Sequence, residues 1–166
     1  LTPKVSFRIN PSDMKDQSND GRIITTDNIF GINRLGVNDS YESGKSLTLG
    51  IDYRKEDKDE IDKYLEIKFA TVFRDVPEYK ISKSSSLYNE SSNLFGSIEN
   101  KFSDIFTIDY NFAIDNDLQT FEYNNFNTKF TFENFTTELK FLESNGETGD
   151  SNHIENTTTI NFDDNN

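Results

Sequence analysis

Along Lys45–Arg54, KSLTLGIDYR, apolar and polar side chains take turns. Leu47, Leu49, Ile51 and Tyr53 fall on one side of an extended chain; Ser46, Thr48, Gly50, Asp52 and Arg54 fall on the other. A period of two is what a strand with one apolar and one polar face requires. The same period recurs. Val5, Phe7 and Ile9 are in phase within Lys4–Asn10, before Pro11 breaks the run. YLEIKFATVFR sets Leu65, Ile67, Phe69 and Phe73 against Glu66, Lys68 and Arg74. NLFGSIENKF groups Leu94, Ile98 and Phe102, and IFTIDYNFAID alternates Phe106, Ile108, Tyr110, Phe112 and Ile114 with Thr107, Asp109, Asn111 and Ala113. From Gln119 to Phe132 the phase slips: Phe121 and Tyr123 read together, Phe126, Phe130 and Phe132 in the other phase, as at a bulge or where a strand leaves the membrane. FTTELKFLE and HIENTTTINF close the series, the first through Phe135, Leu139 and Phe141, the second through Ile154, Ile160 and Phe162.

The pattern predicts an all-β fold, an antiparallel up-and-down meander of about eight strands spanning residues 1–166. Most strands run to about ten residues, the length of a tilted strand crossing a bilayer rather than the five or six usual in soluble sheets. Connections differ by side. With the first strand pointing up, long loops at 11–44, 75–91 and 144–152 share one side with a short turn at 115–117; 55–62, 103–104 and 133–134 share the other. That asymmetry favours an open, curved segment of a transmembrane β-barrel over a sandwich. A bilayer offers backbone groups no water, so a spanning sheet has to close on itself.

Composition sharpens this picture. Only 33% of the residues are hydrophobic, yet 13% are aromatic, so apolar side chains are concentrated by pattern and not by amount. The net charge of −13 argues against nucleic acid as a partner. There is no Cys, hence no thiolate metal ligand or thiol nucleophile in this stretch. Strand charges keep to the polar phase. Asp52, Arg54, Glu66, Lys68, Asp109 and Asn111 are therefore expected to face a barrel lumen, and Leu47, Leu49, Ile51, Ile67, Phe69, Ile108, Tyr110 and Phe112 to face lipid. Lys or Arg on the lipid side near the midplane would cost about 2–4 kcal/mol.

Candidate chemistry is sparse. Asp16, Ser18, Asp20, Gly21 and Asp27 imitate a calcium loop, but the closing bidentate Glu is missing and no amphipathic helices flank it. His153 is the only histidine and has no second ligand in reach of the pattern. No serine context resembles a nucleophile elbow. These readings point to no catalytic residue, no metal and no cofactor.

The succession of segments resembles the LPS-assembly protein LptD family, also called OstA or Imp, in its alphaproteobacterial form. PKVSFRINPSDM is similar to the family's strand that enters a long outer loop. DNIFGINRLGVNDSYESGKSLTLGIDYR follows, with Asn28, Phe30, Arg34, Gly36, Gly44 and Gly50 in place and Asn38-Asp39 where the family has an Asp-Arg pair. LEIKFATVFRD and SNLFGSIENKFSDIFTIDYNFAIDND continue in the same order. The resemblance implies an internal piece of an outer-membrane barrel, cut at both ends, in a Gram-negative cell. It implies a translocon that places lipopolysaccharide in the outer leaflet without a chemical step. Its partners would be lipopolysaccharide, outer-membrane lipids, an LptE-like plug lipoprotein and a periplasmic Lpt bridge reached through an N-terminal domain. The loop from Ser12 to Gly44 would fold over the barrel mouth. A porin or receptor wall, and a soluble extracellular β-sandwich binding module, remain as alternative readings of the alternation.

Overall fold

The computed structural model describes residues 1–19, 22–37, 40–60, 62–101, 103–146 and 149–161. Eight strands follow one another: β1 (Thr2–Asn10), β2 (Gly44–Glu56), β3 (Tyr64–Arg74), β4 (Leu94–Lys101), β5 (Phe106–Ile114), β6 (Phe121–Phe132), β7 (Phe135–Gly146) and β8 (Gly149–Ile160). Each pairs antiparallel with the next, giving one sheet in chain order from β1 to β8. It is an open, curved meander, as the alternation predicts, and among the described residues β1 and β8 do not pair with each other.

Register keeps the two phases apart across the sheet. Val5 pairs with Leu49 and Leu49 with Thr71, while Ser6 pairs with Thr48 and Thr48 with Val72. An apolar face and a polar face result, because strand partners point the same way.

The covering lies on the polar face. Ser46, Thr48, Ser97 and Arg74 are buried there, whereas Val5, Phe7, Leu49, Ile51, Phe69 and Phe73 stand exposed on the other face. What buries the polar face is the chain's own connections. Residues 11–43, between β1 and β2, and 75–93, between β3 and β4, share a small core of Met14, Ile24, Ile29, Ile81 and Leu87. This cap rests on Ala70, Val72, Phe95, Ala113 and Tyr123, which occupy the polar phase of β3 to β6. The two loops are stitched together by the Gln17 N–H donating to the Lys80 carbonyl at 2.8 Å and the Ser43 hydroxyl to Glu78.

The slip in β6 is a bulge, and the structure corrects how it was read. Phe121 and Tyr123 lie on opposite faces. Register shifts between Ala113 and Ile114, so Tyr123 pairs with Ala113 while Phe121 pairs with Ile114. The extra residue lets Phe121 stack edge-on against Phe112 at 5.9 Å, and lets Tyr123 donate its hydroxyl to the Ile24 carbonyl at 2.9 Å beneath the cap. A second correction concerns 144–152, expected as a long loop: residues 144–146 and 149–152 are ladder. Ser144 pairs with Ser151, Asn145 with Asp150 and Gly146 with Gly149. Gly- and Ser-rich sequence there marks a hairpin tip, and strand pairing overrides the local preference for loop. Residues 147 and 148, and with them Phe102, Asn38, Asp39 and Phe162, lie outside the described residues.

Candidate functional site

The polar face and its cap form the candidate site. Two adjacent rows of this face collect the six side chains expected to be lumenal. One row runs Asp52, Lys68, Ser97, Asn111; the next runs Arg54, Glu66, Glu99, Asp109. Opposite charges meet along the rows. Lys4 pairs with Asp52, Lys68 lies 2.9 Å from Glu66, and the Lys68 ammonium also reaches Asp27 of the cap at 3.1 Å. Arg54 lies 3.7 Å from Glu66 and stacks 3.9 Å over the Tyr64 ring. The Asn111 amide donates to Asp109 at 2.6 Å. All six residues therefore share one face of the sheet, ordered by ion pairs and hydrogen bonds among neighbours and, at Lys68, by the cap.

The eight apolar positions share the opposite face, the one the cap does not cover. Leu49, Ile51 and Phe69 are exposed; Phe112 is 7% exposed. Its ring lies flat over Gly96, where an added Cβ would come within 2.2 Å of it, and is walled by Phe69, Tyr110 and Phe121. A glycine thus seats an aromatic ring on the sheet surface.

Hydropathy alternation does not flag the most buried charges. Arg34, on the loop between β1 and β2, has a fully buried side chain, and Glu42 of the same loop is almost as buried. Arg34 grips Glu42 through Nε at 2.6 Å and Nη2 at 2.5 Å, and donates to the Thr48 hydroxyl at 2.9 Å and the Ser46 hydroxyl at 3.1 Å. Arg8 of β1 reaches the second Glu42 oxygen at 2.7 Å, and Arg74 of β3 reaches the first. One carboxylate serves three guanidiniums drawn from two strands and a loop. Burial opposes ionisation of Glu42, yet the Arg34 hydrogen bonds and the three positive charges outweigh it and hold the carboxyl below its ordinary range. Gly44 completes the corner with φ +83°, and a Cβ there would stand 3.1 Å from the Arg74 guanidinium. The available signal was that Arg8 and Arg74 sit in the polar phase at one end of their strands, beside a glycine that begins β2.

The remaining sequence candidates stay apart. Asp16 accepts the Ser18 N–H at 2.9 Å, Asp27 pairs with Lys68, and Asp20 and Gly21 lie outside the described residues. Among the described residues no three His, Cys, Asp or Glu side chains group as metal ligands. His153 is exposed on β8, 3.9 Å from Glu155. No helix among the described residues is long and apolar enough to cross a membrane, which leaves strand crossing untouched.

An open antiparallel meander whose polar face is filled by its own loops, and whose apolar face is bare, has the construction of a segment of β-barrel wall. The model of one family, LptD, LPS transport system D, matches residues 1–164, and the chain belongs to that family. It is a family of outer-membrane β-barrel proteins in lipopolysaccharide transport. Neither the curated proteins nor the solved structures contain a match to this chain.

Proposed function

We propose that this chain is a stretch of barrel wall in the outer-membrane translocon that assembles lipopolysaccharide into the outer leaflet, acting by enclosure and passage and without a chemical step. One observation carries the reading: the apolar band crosses the sheet on a slant. The row of paired residues Tyr53, Ile67, Ile98, Tyr110, Phe126 and Phe141 connects the two sides of the sheet. On β2 this row marks the end of the apolar run Leu47–Tyr53 nearest the short turns. On β7 it marks the opposite end of the run Phe135–Phe141. The band therefore descends six residues over five strand steps. With a rise of about 3.3 Å per residue and about 4.8 Å between strands, that slope corresponds to a strand tilt of about 40°. Barrel strands tilt by about 35–45° against the membrane normal, so a slanted band on the sheet is a level band in the bilayer.

On this reading Leu47, Leu49, Ile51, Ile67, Phe69, Ile108, Tyr110 and Phe112 meet acyl chains, and Asp52, Arg54, Glu66, Lys68, Asp109 and Asn111 face the lumen. Phe106, Phe130, Phe132 and Phe135, clustered beside the short turns, form part of an interfacial aromatic girdle. Lipopolysaccharide is the cargo, with a plug lipoprotein of LptE type in the lumen and a periplasmic bridge delivering lipid through another part of the protein. A β-sandwich buries its apolar faces between sheets. Here the covering lies on the polar face, which favours the barrel.

The test uses the full-length chain in outer membrane. Ile51→Arg and Phe69→Arg should abolish or sharply reduce heat-modifiable, membrane-inserted protein, whereas Asp52→Arg and Glu66→Lys should insert normally. Equal insertion of all four variants would overturn the facing.

A further inference from the structure

The cap is attached to the wall in two unlike ways. Over β4 and β6 the attachments are neutral: Thr26 donates to the Ser97 hydroxyl at 2.9 Å, and Tyr123 to the Ile24 carbonyl at 2.9 Å. Over β1, β2 and β3 the attachment is ionic, the buried Arg34 and Arg74 and the half-buried Arg8 gathered around the buried Glu42. The cluster holds an excess of positive charge, and the Arg74 Nε already lacks a hydrogen-bond partner in its buried position. Three cations tolerate one another there because a single anion lies between them. Arg8 and Arg74 are fixed by ladder pairing, at Arg8 with Ser46 and at Arg74 with Ser46 from the other side. Arg34 and Glu42 belong to a segment outside the ladder. If the anion is lost, the cheapest relief is for that segment to leave, which returns Arg34 and the strand arginines to water.

We propose that Arg8, Arg34, Arg74 and Glu42 form a latch that keeps the loop of residues 11–43 closed on the wall, and that loss of its one anion opens the cap while the strand ladder stays intact. The proposal rests on the strands spanning the membrane, so that the latch closes the loop-side mouth of the barrel. It does not depend on the cargo. Other ties of the cap are of a different kind. Lys80–Asp13 and Lys68–Asp27 hold carboxylates that are mostly in water, and exposed pairs of that sort contribute little.

Thr26, 5% exposed beneath the cap, provides the reporter. Thr26→Cys in the full-length chain, in outer membrane, is reacted with a membrane-impermeant maleimide, with the chain lacking this cysteine as background. Glu42→Gln should raise the labelling rate by at least about a hundredfold, in line with the cost of breaking a buried charge pair, and leave heat-modifiable mobility unchanged. Adding Arg74→Met to Glu42→Gln removes one orphaned cation and should return the rate most of the way. Lys80→Ala should change it less than about threefold. Unchanged labelling in Glu42→Gln overturns the latch. Loss of heat-modifiable mobility in that variant also overturns it, since the cluster would then hold the wall itself. Failure of the unsubstituted chain to insert would count against the barrel reading instead.

Discussion

The two halves of the sheet share an alternation and differ in what lies on it. At the loop-side end of β2 to β4 the polar phase is buried: Ser46, Thr48 and Ser97 are shielded under loops, and Arg34 of the covering loop is 1% exposed. Across β7 and β8 the same phase carries Lys140, which is half-buried, and His153, Glu155 and Thr157, which are exposed. The reason is local. Connections of more than fifteen residues follow β1 and β3, while only six residues join β5 to β6. Polar wall residues are thus neither core nor surface by nature; the length of the neighbouring loop decides. Under the cap each charge needs a partner and has one, as Glu42 does. In the open half, water supplies what partners do not.

That contrast is open to direct attack, beginning where the effect is largest. Glu42→Ala strips the anion from the buried Arg34 and Arg74 and the half-buried Arg8, and should cost about 3–5 kcal/mol in the stability of the capped half. Glu155→Ala, an equal change in charge on exposed β8, should cost less than about 1 kcal/mol. Chemical unfolding of the reconstituted protein would compare them, and equal losses would erase the distinction. Ile51→Arg, on the bare face near the middle of the β2 apolar run, should cost about 2–4 kcal/mol of insertion free energy, measured as the folded fraction in lipid vesicles. Gly50→Ala puts a methyl 2.7 Å from the Phe30 ring of the cap. It should cost about 1–3 kcal/mol by overpacking and loosen the loop, seen as faster hydrogen exchange in residues 22–31. Acid should have the smallest effect near neutrality. Because Glu42 titrates below its ordinary range in the folded chain, its stabilisation is complete above the unfolded carboxyl's pKa of about 4.3 and fades only as pH falls through the lower folded value. Labelling of Thr26→Cys, taken relative to a solvent-exposed cysteine at the same pH so that thiol protonation cancels, should therefore be flat from neutral pH to about 5 and rise below the ordinary carboxylate range.

Most of the wall was legible in the sequence. Strand existence, facing and order follow from period-two alternation, because a one-residue slip would turn every apolar side chain to the wrong face. The loss of phase in β6 was legible, but not that it marks a bulge rather than a strand leaving the membrane, nor its geometry. Deciding that Phe121 and Tyr123 part company requires the pairing with Ile114 and Ala113. The hairpin between β7 and β8 misled because SNGETGDSN carries turn residues throughout, and only pairing distinguishes ladder from loop. The cap was legible as a long loop and no further. Ile24, Ile29, Ile81 and Leu87 follow no period, and Glu42 meets its partners from 8 to 34 positions away in the chain. Nothing local in the sequence announces such a meeting.

The central claim is that the bare face is set in hydrocarbon at a slant to the pairing rows. Spin labels placed singly along β2 from Ser46 to Arg54 and along β7 from Thr136 to Leu142, in the full-length chain in lipid, measure it through collisions with oxygen against a water-soluble nickel chelate. The account predicts a period of two on both strands, with the deepest β2 site near Leu49 or Ile51 and the deepest β7 site near Leu139. Those two maxima should be displaced from a common pairing row by about four to six residues. Absence of alternation, or maxima that fall on one row, would contradict it.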